Sequence, residues 1–160
     1  MVQCRSHLIW CRYFSHNLET RKRIVRGEAH ERLAYFFGGV AGHSGLFSTA
    51  DDIIRFMRIF LCKGKLPNEP TRIISEALVN QFTTRVTGLS YANTRAYGFD
   101  TNCPGTKMSN CFGHDGSTGA MAWADKDKKI AFVVLTNRGH PDVKNGRFDA
   151  FKGQIADAIM

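Results

Sequence analysis

The sequence run Phe112-Gly113-His114-Asp115-Gly116-Ser117-Thr118-Gly119 is followed by two apolar runs, Met121-Ala122-Trp123 and Ile130-Ala131-Phe132-Val133-Val134-Leu135-Thr136. Both apolar runs read as strands, and the charged turn Asp125-Lys126-Asp127-Lys128-Lys129 joins them into an antiparallel hairpin. The second run is apolar at every position up to Leu135, so both of its faces are expected to be buried under helices. Phe148, Phe151, Ile155, Ala158 and Ile159, at helical spacing, predict one of those helices at the C-terminus.

Upstream, Ser48-Thr49-Ala50-Asp51-Asp52 has the composition of a helix start. Ser48 or Thr49 can cap, and the aspartates suit the positive end of the helix dipole. Ile53, Phe56, Met57, Phe60 and Leu61 then form one apolar stripe, read as core packing. Lys63 and Gly64 supply the stop, so the prediction is a helix over 50–63. Beyond Pro67 and Pro70, residues 75–82 read as a short helix capped by Ser75. Residues 83–111 read as irregular, with Tyr97-Gly98-Phe99 a candidate short strand at the edge of the sheet. The expected fold class is therefore α/β (α+β), an antiparallel sheet flanked by helices.

A length of 160 residues is one domain or a piece of a larger one. The net charge of +8 raises the question of nucleic acid, but the basic residues are scattered apart from Arg21, Lys22, Arg23 and Arg26. No nucleic-acid motif accompanies them, so no such partner is expected. No apolar run approaches the ~18–20 residues that span a bilayer. The N-terminal segment, residues 1–20, lacks both a signal-peptide core and clear periodicity, and the compartment stays open. Five cysteines with no CxxC pair argue against a zinc or thioredoxin-like site. Cys103 and Cys111 flank a Pro-Gly turn close enough to pair, but five reduced thiols is the expectation.

Two glycine-rich stretches carry the candidate chemistry. In Gly38-Gly39-Val40-Ala41-Gly42-His43-Ser44-Gly45, four glycines imply unusual backbone angles or a close approach of another segment. A phosphate loop is excluded, because no GK[ST] ending follows. His43 reads as filling a turn among these glycines. The second stretch sets His114 and Asp115 among three glycines at the entrance to a strand, where a ligand can approach the backbone closely. His114 can carry a proton near neutral pH, and Asp115 can orient it or repel a second carboxylate. No histidine pair has metal-ligand spacing, so neither metal nor cofactor is expected.

These stretches resemble a known family. Residues 38–52 are similar to "GGVAGHAGLFSTADD" of the β-lactamase-related serine hydrolases, and residues 112–119 to that family's "FGHTGFTG". Trp123-Ala124-Asp125 and Leu135-Thr136-Asn137-Arg138-Gly139-His140-Pro141 resemble its "WxDP" and "LTNRVHP", in the same order and spacing. The likeness covers roughly residues 21–160, which would form a partial domain of the class C β-lactamase and penicillin-binding-protein type. It implies a serine nucleophile in Ser-x-x-Lys, a Tyr-x-Asn motif, and a Lys/His-Thr-Gly motif on a strand, acting on amides or esters through an acyl-enzyme.

Only the third motif has a counterpart here. The resemblance assigns His114 a charged or hydrogen-bonding role toward the substrate, with Asp115 and Gly116 beside it. The backbone N–H of Ser117, next along the strand, would be an oxyanion donor. Such a donor is worth ~2.7–4 kcal/mol when preorganised. Asp115 stands where threonine is commoner, and its charge is expected to disfavour acidic substrates. No serine is followed three positions later by lysine. Tyr91-Ala92-Asn93 fits Tyr-x-Asn but follows residues 38–52, where the family's motif precedes that stretch, so it reads as a chance match.

The expectation is thus a serine-hydrolase fragment, inactive alone, whose partner is a small amide or ester once a nucleophile-bearing part completes it. The alternative is a non-enzymatic truncated relative acting as a binding protein. Because the family's sheet is built from both chain ends, an exposed apolar sheet edge is also implied.

Overall fold

The computed structural model describes residues 13–14, 24–66, 68–88, 94–138 and 147–160. The Tyr91-Ala92-Asn93 match, most of the N-terminal segment and His140 lie outside them.

Two short strands, β1 (Tyr13–Phe14) and β2 (Ile24–Val25), pair antiparallel and precede a five-residue helix, α1 (Arg32–Phe36). The helix α2 (Ala50–Leu61) follows, and Thr49 is its cap, its hydroxyl accepting from Asp52 N at 3.1 Å. The helix stops two residues short of the predicted end: Lys63 and Gly64 both adopt positive φ and lie past it rather than in it. The third helix, α3 (Glu76–Thr83), is capped by Ser75 as read from the sequence.

Three antiparallel strands form the main sheet: β3 (Cys111–Asp115), β4 (Met121–Asp125) and β5 (Ile130–Val134), in that order. The final helix is α4 (Arg147–Ile159). Asp125, fully buried, organises the β4–β5 turn by accepting from the backbone N–H groups of Asp127 and Lys128, both at 2.9 Å.

Strand alternation divides the core in two. Phe112, Ala122, Ala124 and Ala131 face α2 and α3, where they meet Met57, Phe60 and Val79. Cys111, Met121, Trp123 and Phe132 face the other way and pack on Phe148 and Ala156 of α4. Helices therefore cover both faces, as the two-sided apolarity of the last strand requires. The predicted α4 stripe is only partly right. Phe148 is buried and Ile155 packs on the core, but Phe151 and Ile159 are exposed, and Ala156 takes the innermost place.

Two further expectations are corrected. Tyr97–Phe99 forms no strand; the segment meets β3 through a single bridge, Asp100 to Gly113, and Phe99 packs edge-on against Phe60 and tilted against Phe112 in the α2-side core. Packing of that ring holds the segment together with backbone bonds, Phe99 N to Phe82 O at 3.2 Å and Asp100 to Gly113 in both directions. Cys103 and Cys111 are joined in a disulfide, not reduced, because the turn at Pro104 and Gly105 brings their Cα atoms to 5.7 Å. The loop so closed clasps α4: Asp157 accepts from Thr106 Oγ1 at 2.8 Å and from Lys107 N at 2.9 Å. Those donors hold its carboxyl below the ordinary carboxylate range. Of the described cysteines, Cys62 is free.

Candidate active site

β3 runs out at Asp115, and the chain turns through Gly116, Ser117, Thr118 and Gly119 into β4. Gly119 N donates to Gly116 O at 2.9 Å, and Gly116 N donates to Ala120 O at 2.6 Å, so the turn is closed twice. The segment after β5 pins it from outside. Thr136 Oγ1 donates to Gly119 O at 2.8 Å, Arg138 N to Thr118 O at 2.9 Å, and Arg138 Nε to Ser117 O at 2.8 Å. Ser117 thus sits in a pinned turn beyond the strand, not on the strand as expected.

His114 and Asp115 part company at once. His114 projects on the α2 side, exposed, and its Nδ1–H donates to the Asp115 carbonyl at 2.8 Å. A carbonyl only accepts, so neutral His114 carries its proton on Nδ1 and keeps Nε2 as an acceptor. The Asp115 carboxylate lies on the α4 side. Its Oδ1 accepts from Trp123 Nε1 at 2.6 Å and its Oδ2 from Lys152 Nζ at 2.7 Å. The expected repulsive charge at the site is therefore a paired one, directed into the sheet's other face.

Gly113 explains part of the motif differently from the ligand approach expected. A Cβ there would lie 2.5 Å from the Trp123 ring and 2.3 Å from Ala122 O. Only glycine lets the indole cross β3 and reach Asp115.

The opposite wall comes from the first glycine-rich stretch. Gly45 has φ +105°, and a Cβ on it would strike Gly39 O at 2.4 Å, so the loop is folded tightly on itself. This bears out the reading of unusual backbone angles. The tight loop displays His43, which does more than fill a turn: its Nε2 lies 2.7 Å from Glu31 Oε2. The same Glu31 oxygen accepts from Ala34 N at 2.7 Å and caps α1. The backbone bond from Ala34, then the bond from His43, lower the Glu31 carboxyl from its ordinary 4.5 to about 2.

The two walls face one cleft of about 950 Å³. His114, Asp115, Gly116 and Ser117 all line it, and so do Glu31, His43 and Ser44. Ile53, Phe56 and Met121 contribute apolar surface. Phe56, counted with the core stripe in the sequence, is half exposed here. Glu31 and Lys152 were not legible as site or support residues, because their partners lie 12 and 37 positions away. Among the described residues no group of three His, Cys, Asp or Glu side chains could hold a metal ion.

The model of the family described as Beta-lactamase matches residues 12–154. The chain belongs to the β-lactamase family. Its helices around an antiparallel sheet are consistent with that family's fold, and it is a serine-hydrolase-family chain of the penicillin-binding-protein type. A protein of Salmonella agona, provisionally named a D-alanyl-D-alanine carboxypeptidase, is 34% identical over 134 residues, covering 78% of this chain. A protein of the same provisional name from Salmonella gallinarum is 33% identical over the same length. This β-lactamase-family chain spans 30% of the length of each. Among the described residues no helix is long and apolar enough to cross a membrane.

Proposed function

We propose that this chain supplies the oxyanion and recognition walls of an acyl-transfer site that hydrolyses small amides or esters, D-alanyl peptides among them. The observation that carries the reading is the single cleft shared by His114, the Ser117 turn and the glycine-rich segment. In the reaction, a serine oxygen adds to the substrate carbonyl, and charge develops on the carbonyl oxygen. The Ser117 N–H donates to that oxygen, in a turn already held by Arg138 and Thr136 and so needing no reorganisation. Gly116, without a side chain, leaves the backbone open to the substrate. His114 presents Nε2 to the substrate or to the nucleophile's proton network, and protonation turns that atom into a donor.

The serine itself is not among these 160 residues in a Ser-x-x-Lys setting. We therefore propose that the chain alone performs no acyl transfer, and that a nucleophile-bearing part of the family fold completes it. That same absence favours a second reading, a binding protein that keeps the cleft and omits the chemistry.

Incubation of the purified 160-residue chain with a fluorescent penicillin is expected to leave it unlabelled; a covalent adduct would overturn the missing nucleophile. Joined to the nucleophile-bearing part of a family relative, the chain is expected to be acylated. His114→Ala in that protein is expected to slow acylation roughly tenfold or more. Unchanged kinetics would remove His114 from the site, and no acylation at all would leave the binding-protein reading.

A further inference from the structure

The cleft wall opposite Ser117 holds a feature that the proposed acyl transfer does not use. Glu31 and His43 form a carboxylate–imidazole pair at 2.7 Å, with His43 about half exposed to the cleft. We propose that His43, oriented by Glu31, is a specificity-determining residue that accepts a hydrogen bond from a donor group on the substrate, an ammonium or an amide N–H. The inference rests on the proposed acyl-transfer site and adds the chemical class of what enters it.

Glu31 is ionised at neutral pH, since its carboxyl is lowered to about 2, and an ionised carboxylate can only accept. The hydrogen between the two groups therefore belongs to His43 Nε2. In the neutral imidazole the other nitrogen, Nδ1, is then an acceptor. The Glu31 oxygen is fixed in turn by Ala34 N, so the ring is oriented by the start of α1. Glu31 acts through His43 and is a positioning residue.

The rest of the lining agrees. The protein has a net charge of +8, yet no lysine or arginine lines the cleft among the described residues. Besides Glu31, the carboxyl-bearing residues that line this cleft are Glu28, Asp52 at the start of α2 and Asp115 at the end of β3, and the other imidazoles are His30 and His114. Among the described lining residues a substrate carboxylate would meet no lysine or arginine, whereas an ammonium or N–H donor meets an acceptor already oriented.

The test needs no chemistry, so it separates from the hydrolase reading. The 160-residue chain, labelled with ¹⁵N, is titrated with D-alaninamide, a cation, and with N-acetyl-D-alanine, an anion. The cation is expected to shift the resonances of Glu31, His43 and residues 114–118 and to bind at least tenfold tighter than the anion. The ring nitrogens of His43 are expected to report the Nε2–H tautomer. His43→Leu is expected to cut the preference below threefold. His43→Gln, which offers a carbonyl acceptor, is expected to restore part of it. Glu31→Gln is expected to lose the single tautomer while the fold of the sheet, read from the β3–β5 resonances, is retained. Tighter binding of the anion, no shift with either probe, or a preference unchanged in His43→Leu would each overturn the proposal. Cation binding that depends on His43, together with failure of acylation in the completed protein, would instead overturn only the hydrolase reading.

Discussion

His114 and Asp115 are consecutive, yet β3 sends them to opposite faces of the sheet, and this separates their fates. Asp115 gains two donors, Trp123 Nε1 and Lys152 Nζ, and ties the core strand β4 to α4. Asp115→Ala would leave the indole N–H of a nearly fully buried tryptophan without an acceptor. A group so stranded costs about 1–3 kcal/mol, to be read from the urea midpoint. His114→Ala, at an exposed position, is expected to change stability by less than about 0.5 kcal/mol. Equal effects of the two substitutions would show that the Asp115 contacts do not support the fold. A residue beside a candidate site residue in sequence is, on a strand, the one least able to share its task.

At the scale of elements, α1 is the informative case. Five residues cannot sustain a helix by propensity, since nucleation is costly and little propagation follows. The helix is held at its start by Glu31, which caps Ala34 N and meets His43. The carboxyl's folded value of about 2 lies below its ordinary 4.5, so the contribution is present above pH 4.5. It is lost as the pH falls from 4.5 toward 2, when the unfolded chain takes up the proton first. Glu76 and Asp157 are also lowered and act in the same direction, so acid destabilisation is a joint effect. The difference in urea midpoint between the native chain and Glu31→Gln isolates one member. That difference is expected to be largest above pH 4.5 and to shrink toward pH 2; a difference independent of pH would refute the assignment. By contrast α2 and α3 begin at ordinary Thr and Ser caps and carry their own buried faces, and both were legible in the sequence.

For the whole molecule, the distribution of apolar surface matters most. Leu33, Phe36, Phe37, Val40 and Leu46 are each more than half exposed, and they lie in α1 and in the glycine-rich stretch between it and α2. In the sheet order β3-β4-β5, the outer edge of β5 has no strand partner among the described residues. Unpaired edges and contiguous apolar patches promote association. The 160-residue chain is therefore expected to self-associate in sedimentation velocity, with the associated fraction rising over a concentration series. A single monomeric species at every concentration, melting in one cooperative step, would refute this expectation.

What the sequence by itself determined was local and periodic. The capped helices, the β4–β5 hairpin and the two-sided apolarity of β5 rest on residues close together in the chain, and the family likeness rests on short stretches kept in one order and spacing. Helix caps, apolar stripes and turn composition act over such distances, so they can be read from the chain directly. Only the tertiary structure decided which glycine serves which purpose. Gly113 makes room for Trp123, and Gly45 folds a loop that displays His43. It also decided that the Asp115 carboxylate pairs with Lys152 of α4, that Cys103 bonds Cys111, and that Glu31 orients His43. Each of these depends on a contact that strand alternation or chain reversal creates between residues not adjacent in sequence, and of them the local pattern offered only the Cys103–Cys111 pairing, through the Pro-Gly turn, without deciding it.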